Sequence, residues 1–115
     1  IKEKQVGFEA VKAEYEALAK ANENSWRILF SIANVFSYNE YFKEAIQMWQ
    51  KTFDCMPKPR YTDSFEAMAQ CCVRMGDHES AVEYYKKELE LLREDWGLKY
   101  GAEVDALGEK IRALQ

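Results

Sequence analysis

A spacing of small and aromatic residues occurs twice in this chain, 36 positions apart. The matched pairs are Ala33 with Ala69, Ala45 with Ala81, and Trp49 with Tyr85. A small residue allows two helices to approach closely, and an aromatic side chain fills the wedge between successive helix pairs. Because one copy directly follows the other, the spacing predicts two stacked helical hairpins.

Gly76 and Asp77 mark the turn inside the second copy. Glycine readily takes the left-handed conformation that closes a helix, and an aspartate after it can cap the next helix with its carboxylate. Val82, Tyr85 and Leu89 then recur at helical spacing. The stretch therefore predicts a helix-turn-helix corner.

Apolar residues at intervals of three and four predict six helices, and hence an all-α fold. The helices are expected over about Val6–Ala21, from Asn24 or Ser25 to Ser37 or Tyr38, from Asn39 to near Pro57, from Thr62 or Asp63 to Gly76, from Asp77 to Arg93 or beyond, and over about Val104–Leu114. Asn39 is expected to cap the third helix, and Asp63 with Glu66 to form a capping box in the fourth.

The composition is typical of a soluble chain that forms one domain. Hydrophobic residues make up 48% of the 115 positions and charged residues 31%. No apolar run reaches the roughly 18 residues that a membrane helix needs. The net charge is −4, and the segment from Thr62 onward combines seven basic with twelve acidic residues. Because an acidic surface repels phosphate, direct binding of a nucleic acid by this chain is not expected, and the missing apolar run argues against a membrane as partner.

Three cysteines, Cys55, Cys71 and Cys72, are too few and too irregularly spaced for a disulfide framework. We expect reduced thiols in a cytoplasmic protein, with Cys72 in the core. The first residue is Ile1 rather than methionine, and we interpret the chain as a fragment of a larger protein.

The sequence contains no constellation typical of an enzyme. His78 is the only histidine and follows the capping Asp77, which favours a surface position without a catalytic role. Phosphate-binding, dinucleotide-binding and zinc-protease motifs do not occur. No catalytic residue, cofactor or metal is therefore expected. The carboxylates of the fifth helix are interpreted as a solvated helix face; they are Glu79, Glu83, Glu88, Glu90, Glu94 and Asp95.

The pattern resembles the tetratricopeptide repeat. The residues that carry the resemblance are Leu29, Ile32, Ala33, Phe36, Ala45, Trp49 and Pro57 in the first copy, and Phe65, Met68, Ala69, Gly76, Ala81 and Tyr85 in the second. The resemblance implies a single domain over 1–115, a short right-handed superhelix of about six helices. Its parts would be a half-repeat helix over 1–24, repeats over 26–59 and 62–95, and a terminal helix over 100–115. The sequence departs from the family at Cys72, Thr52 and Glu88.

The segment Leu91–Leu107 is also similar to the end of the bacterial transcriptional activator domain. Gly97, Leu98, Glu103, Leu107 and Ile111 fall in register with that family, whereas Tyr100 stands where proline is common. The similarity implies an interaction module of a bacterial transcription regulator.

In such repeat arrays the first helix of each hairpin lines a concave face that binds peptides or helices. When the geometry of such arrays is applied to this sequence, the concave face is expected to consist of Arg27, Phe30, Ser31, Asn34, Tyr38, Asp63, Glu66, Gln70 and Arg74. A lysine clamp for a peptide carboxylate would need lysine where Phe30 and Glu66 stand, so that mode of binding is not expected. Tyrosines outside the apolar stripes, Tyr61 among them, are further candidates for a contact surface.

Several alternatives remain open at this point. The face could pack on a neighbouring domain instead of binding a ligand. The chain could also be a general scaffold without a role in transcription, or a structural helical domain that forms homodimers through its first and last helices.

Overall fold

The computed structural model of the chain is all-helical over the residues it describes, which are 2–115 for the backbone and 7–115 for the side chains. Its helices are α1 (Lys2–Ala21), α2 (Trp26–Tyr38), α3 (Phe42–Cys55), α4 (Asp63–Arg74), α5 (His78–Trp96) and α6 (Ala102–Leu114). The predicted all-α fold is confirmed, and α1 begins earlier than expected. Ile1, in the predicted half-repeat, lies outside the described residues. The right-handed superhelix and the single domain over 1–115 stay predictions.

The helices form two compact units. The N-terminal unit ends at Met56 and contains α1–α3, and the C-terminal unit begins at Pro57 and contains α4–α6. In the N-terminal unit α2 and α3 form a hairpin and α1 packs against α2. In the C-terminal unit α4 and α5 form the hairpin and α6 packs against α5. Each unit therefore combines one hairpin with one additional helix.

The core of the N-terminal unit lies between α2 and α3. Ala33 and Ala45 have no exposed surface, as expected for positions where two helices approach closely. The other buried side chains of this hairpin are Leu29, Ile32, Phe36, Met48, Trp49 and Thr52. Phe8 of α1 meets Phe36 edge to face, with ring centroids 5.1 Å apart. This ring contact attaches α1 to the hairpin.

Polar contacts also attach α1. The Tyr41 hydroxyl donates to the Glu9 carboxylate, and the hydrogen bond raises the Tyr41 pKa to about 12. Lys12 forms an ion pair with Glu44 at 3.4 Å, and its ammonium group lies 4.8 Å from the centre of the Tyr41 ring. The start of α3 thus holds one face of α1.

In the C-terminal unit the completely buried alanines are Ala69 and Ala81. They correspond to Ala33 and Ala45 of the first copy, where two helices approach closely. The remaining core is formed by Met68, Cys71, Cys72, Val82, Tyr85, Leu91, Leu92, Leu107 and Ile111. Cys72 is a buried free thiol whose pKa is raised to about 11 by burial. Its predicted place in the core is confirmed.

The corner between α4 and α5 is built as predicted. Gly76 has a φ of 79°, and Asp77 is the N-cap residue of α5. The Asp77 carboxylate accepts a hydrogen bond from the Ser80 amide at 3.1 Å. A hydrogen bond from the Ser80 side chain, followed by the one from the amide, lowers the Asp77 pKa. The Asp77 amide donates to the Cys72 carbonyl at 2.8 Å, so the chain reverses within two residues.

Two predicted caps are wrong. Asn39 closes α2 instead of opening α3, because its side-chain amide and its backbone N–H both donate to the Val35 carbonyl, at 2.8 and 3.1 Å. Tyr41 is the N-cap residue of α3. Thr62 is the N-cap residue of α4 and makes no side-chain cap hydrogen bond, and Glu66 bonds Lys110 instead of forming a capping box.

Candidate partner-binding site

Four of the predicted site residues share one exposed face of α2. Arg27, Ser31, Asn34 and Tyr38 are spaced at i, i+4, i+7 and i+11, so they lie along one side of the helix. The Arg27 guanidinium lies 5.0 Å from the centre of the Trp26 ring. We call these four residues the α2 surface. It lies on the N-terminal unit, and the hairpin core behind it fixes the helix that carries it.

Phe30 differs from the other predicted residues of α2. Its ring is half-buried and packs edge-on against Trp49 of α3, with centroids 6.1 Å apart. A change at Phe30 would therefore disturb the hairpin as well as any partner contact. The four residues of the α2 surface are the better positions for testing binding.

The predicted residues of α4 also share one face. Asp63, Gln70 and Arg74 are exposed, and we call them, together with Glu66, the α4 surface. Glu66 is half-buried because α6 reaches it: Lys110 donates to its Oε1 at 3.1 Å, and Gln70 donates to the same atom at 3.4 Å. The hydrogen bond between Lys110 and Glu66 raises the Lys110 pKa. The α2 and α4 surfaces belong to different units, and their union into one concave face stays a prediction.

A cleft of about 360 Å³ at one end of the C-terminal unit was not predicted from the sequence. It lies where the segment before α4 meets the end of α5 and the start of α6. Its lining consists of Tyr61, Thr62, Asp63, Leu92, Trp96, Leu98 and Glu103. We call it the Trp96 cleft. Of these residues the sequence predicts only Asp63 as a site residue and only Tyr61 as a further contact candidate.

Hydrogen bonds fix the aromatic wall of the Trp96 cleft. The Trp96 indole Nε1–H donates to the Arg60 carbonyl at 2.6 Å, and the Tyr61 ring lies 6.2 Å from the Trp96 ring, centre to centre. Arg60 is itself held by Asp95, through Nε at 2.7 Å, Nη2 at 3.0 Å and the backbone N–H at 2.9 Å. These bonds hold the Asp95 pKa at about 2. Asp95 therefore anchors the segment before α4 and is not part of a solvated face.

Glu88 also departs from the predicted solvated face of α5. It is only 5% exposed, and its Oε1 accepts no hydrogen bond from the described residues. Burial, followed by the charge of Glu66, raises the Glu88 pKa to about 7, while Lys110 and a hydrogen bond from Thr62 act in the opposite direction. The sequence carried a signal for this burial, because Glu88 lies three residues after Tyr85 and four before Leu92, on the apolar stripe.

No family model matches the chain, and no significant match is found among curated proteins. Both family resemblances therefore remain hypotheses that rest on the residues quoted for them. None of the described helices combines the length and the apolar character that crossing a membrane would require. Within the described residues, no three His, Cys, Asp or Glu side chains are grouped so that they could hold a metal ion.

Proposed function

We propose that this chain is a protein-interaction module that binds a peptide, a helix or a partner domain through the α2 and α4 surfaces. The observation that carries the proposal is the α2 surface. It presents Arg27 and Tyr38, two residue types enriched in binding hot spots, on a helix whose other side is core. A rigid helix loses little conformational entropy when it binds, which favours such a face as a docking platform.

We further propose that the module belongs to a cytoplasmic bacterial regulatory protein of the transcription-regulator type, and not to a general scaffold. Support comes from the resemblance of the segment after α5 to the bacterial transcriptional activator domain. Gly97 takes the left-handed conformation at the end of α5, and Leu98 donates to the Leu92 carbonyl at 3.0 Å. This agrees with the glycine-hydrophobic link of that family.

The test replaces three of the four residues of the α2 surface and leaves the buried residues of the hairpin unchanged. The variant Arg27→Ala, Asn34→Ala, Tyr38→Ala should retain wild-type helicity and lose at least tenfold in affinity for a partner isolated from the native host. Loss of an aromatic and an arginine anchor removes about 2 kcal/mol or more. Affinity is measured by surface plasmon resonance with the immobilised chain.

The matched control changes three exposed residues of the same unit, two in α1 and one in the turn after it, as Glu14→Ala, Lys20→Ala, Glu23→Ala. It removes the same number of side chains from the same unit and should bind as the wild type does. Equal affinity of the α2 variant and this control would contradict the proposal.

Homodimer formation is a second candidate function, favoured by α1. Val11 and Leu18 lie seven residues apart on one face of α1 and are 36% and 47% exposed. Burying such a stripe against a second copy would remove apolar area from water. Sedimentation equilibrium decides this candidate, since a concentration-independent monomer mass would contradict it.

A further inference from the structure

We propose that the Trp96 cleft binds a guanidinium group, the arginine side chain of a protein partner. The cleft combines two partly exposed aromatic rings, two carboxylates and two leucines around a volume of about 360 Å³. That volume is in the range of sites that enclose a ligand group. The inference deepens the proposed function by naming one chemical group of the partner. It rests on the proposed function, because that function supplies the protein partner that carries the arginine.

The aromatic wall suits a flat cation. Tyr61 and Trp96 are each 47% exposed, and their rings contact one another. The hydrogen bond from the Trp96 indole to the Arg60 carbonyl fixes the orientation of the ring. Tryptophan is the aromatic residue that attracts cations most strongly, and arginine stacks on such a ring better than lysine does.

The charged side chains of the lining are both acidic. Asp63 at the start of α4 and Glu103 at the start of α6 line the cleft. Neither belongs to the ion pairs found among the described side chains. Arg60 does not neutralise them, because Asp95 already binds its guanidinium through two side-chain hydrogen bonds. Carboxylates bind a guanidinium group through charge-assisted, often bidentate hydrogen bonds. Charge complementarity therefore selects a cationic occupant.

A third carboxyl group lies behind the lining. Glu88 is on α5, one turn before Leu92 of the cleft wall. The charged groups around Glu88 are Glu66 and Asp63 from α4, Lys110 from α6 and, on its own helix, the titratable Tyr85. Because Lys110 already pairs with Glu66, the attraction for a cation rests on Asp63 and Glu103 of the lining.

The experiment titrates the full chain with the peptide acetyl-Gly-Gly-Arg-Gly-Gly-amide and follows amide and indole resonances by NMR. The signals of the Trp96 indole N–H and of the Leu98 and Glu103 amides should shift and saturate. Replacing arginine by citrulline keeps the shape of the side chain but removes its charge, so affinity should fall at least tenfold. A lysine peptide should bind more weakly than the arginine peptide.

Two variants with the same change in net charge make the test specific. Glu103→Gln should weaken binding of the arginine peptide about tenfold through the loss of a charge-assisted hydrogen bond. Asp105→Asn, in the first turn of the same helix but outside the lining, should leave it unchanged. Tyr61→Leu should also weaken binding, and it leaves the hydrogen bond of the Trp96 indole in place.

The proposal is overturned if the citrulline or lysine peptide binds as tightly as the arginine peptide. It is also overturned if Glu103→Gln and Asp105→Asn reduce affinity equally, because the effect would then be general electrostatics. The variant that removes Arg27, Asn34 and Tyr38 should bind the arginine peptide normally. The peptide titration can therefore fail while the α2 surface still binds its partner, and the reverse, so the failures of the two proposals are distinguishable.

Discussion

Glu88 places a carboxyl group inside the C-terminal unit, where its Oε1 has no hydrogen-bond partner among the described residues. An apolar or amide side chain at this position would avoid the penalty of burying a charge. The raised pKa of about 7 means that the folded chain binds a proton on Glu88 more tightly than the unfolded chain does, whose value is near 4.5. Stability must therefore depend on pH through this one residue.

The sign of this dependence follows from linkage. The contribution of Glu88 is fully present below pH 4.5 and is lost as the pH rises through about 7, with a total loss of about 3 kcal/mol in the free energy of unfolding. Glu88→Gln cannot ionise, so it should remove this decline and exceed the wild type in stability at pH 8. Urea denaturation at pH 5 and pH 8 measures both values.

The control for this prediction is Glu90→Gln, which changes an exposed carboxylate of the same helix. It should retain the wild-type decline between pH 5 and pH 8. If Glu88→Gln also retains that decline, Glu88 does not titrate in this range and the account of its burial is wrong.

At the scale of elements, the end of α5 depends on a left-handed residue. Gly97 has a φ of 66°, and the hydrogen bond from the Leu98 amide to the Leu92 carbonyl closes the helix behind it. This turn directs the chain from Trp96 toward α6 and so brings Glu103 to the cleft. A residue with a Cβ atom has open space here but is disfavoured in this backbone conformation.

Gly97→Ala should lower the free energy of unfolding by about 1 kcal/mol, because alanine is disfavoured at positive φ. Gly7→Ala is the matched control, since Gly7 lies within α1 and a Cβ atom there also meets nothing within 4 Å. That change should raise stability by about 0.5 to 1 kcal/mol. Thermal unfolding followed by circular dichroism compares the two, and changes of equal sign would contradict the argument.

At the scale of the whole molecule, the helices were predictable because the signals for them are local. The buried alanines Ala33 and Ala69, 36 residues apart, and the Gly76 turn each depend on neighbours within one hairpin. The Trp96 cleft was not predictable in this way. It depends on Arg60 and Asp95, which are 35 residues apart and whose pairing no local spacing indicates.

The errors in the predicted caps have a similar cause. Asn39 is a suitable residue for opening α3, but its side chain finds a nearer acceptor in Val35 of α2. Glu66 could have closed a capping box, but Lys110 on α6 binds its carboxylate. Several groups compete for the side chain of a candidate capping residue, and a single sequence does not show which of them binds it.

The central claim is that the α2 surface contacts a protein partner. A photo-cross-linking amino acid placed at Asn34, with an equivalent substitution at the exposed Glu14 as the control, tests it directly in the native host. We predict a cross-link from position 34 to one discrete protein, identified by mass spectrometry, and none from position 14. Identical products from both positions, or no product from position 34, would contradict the claim.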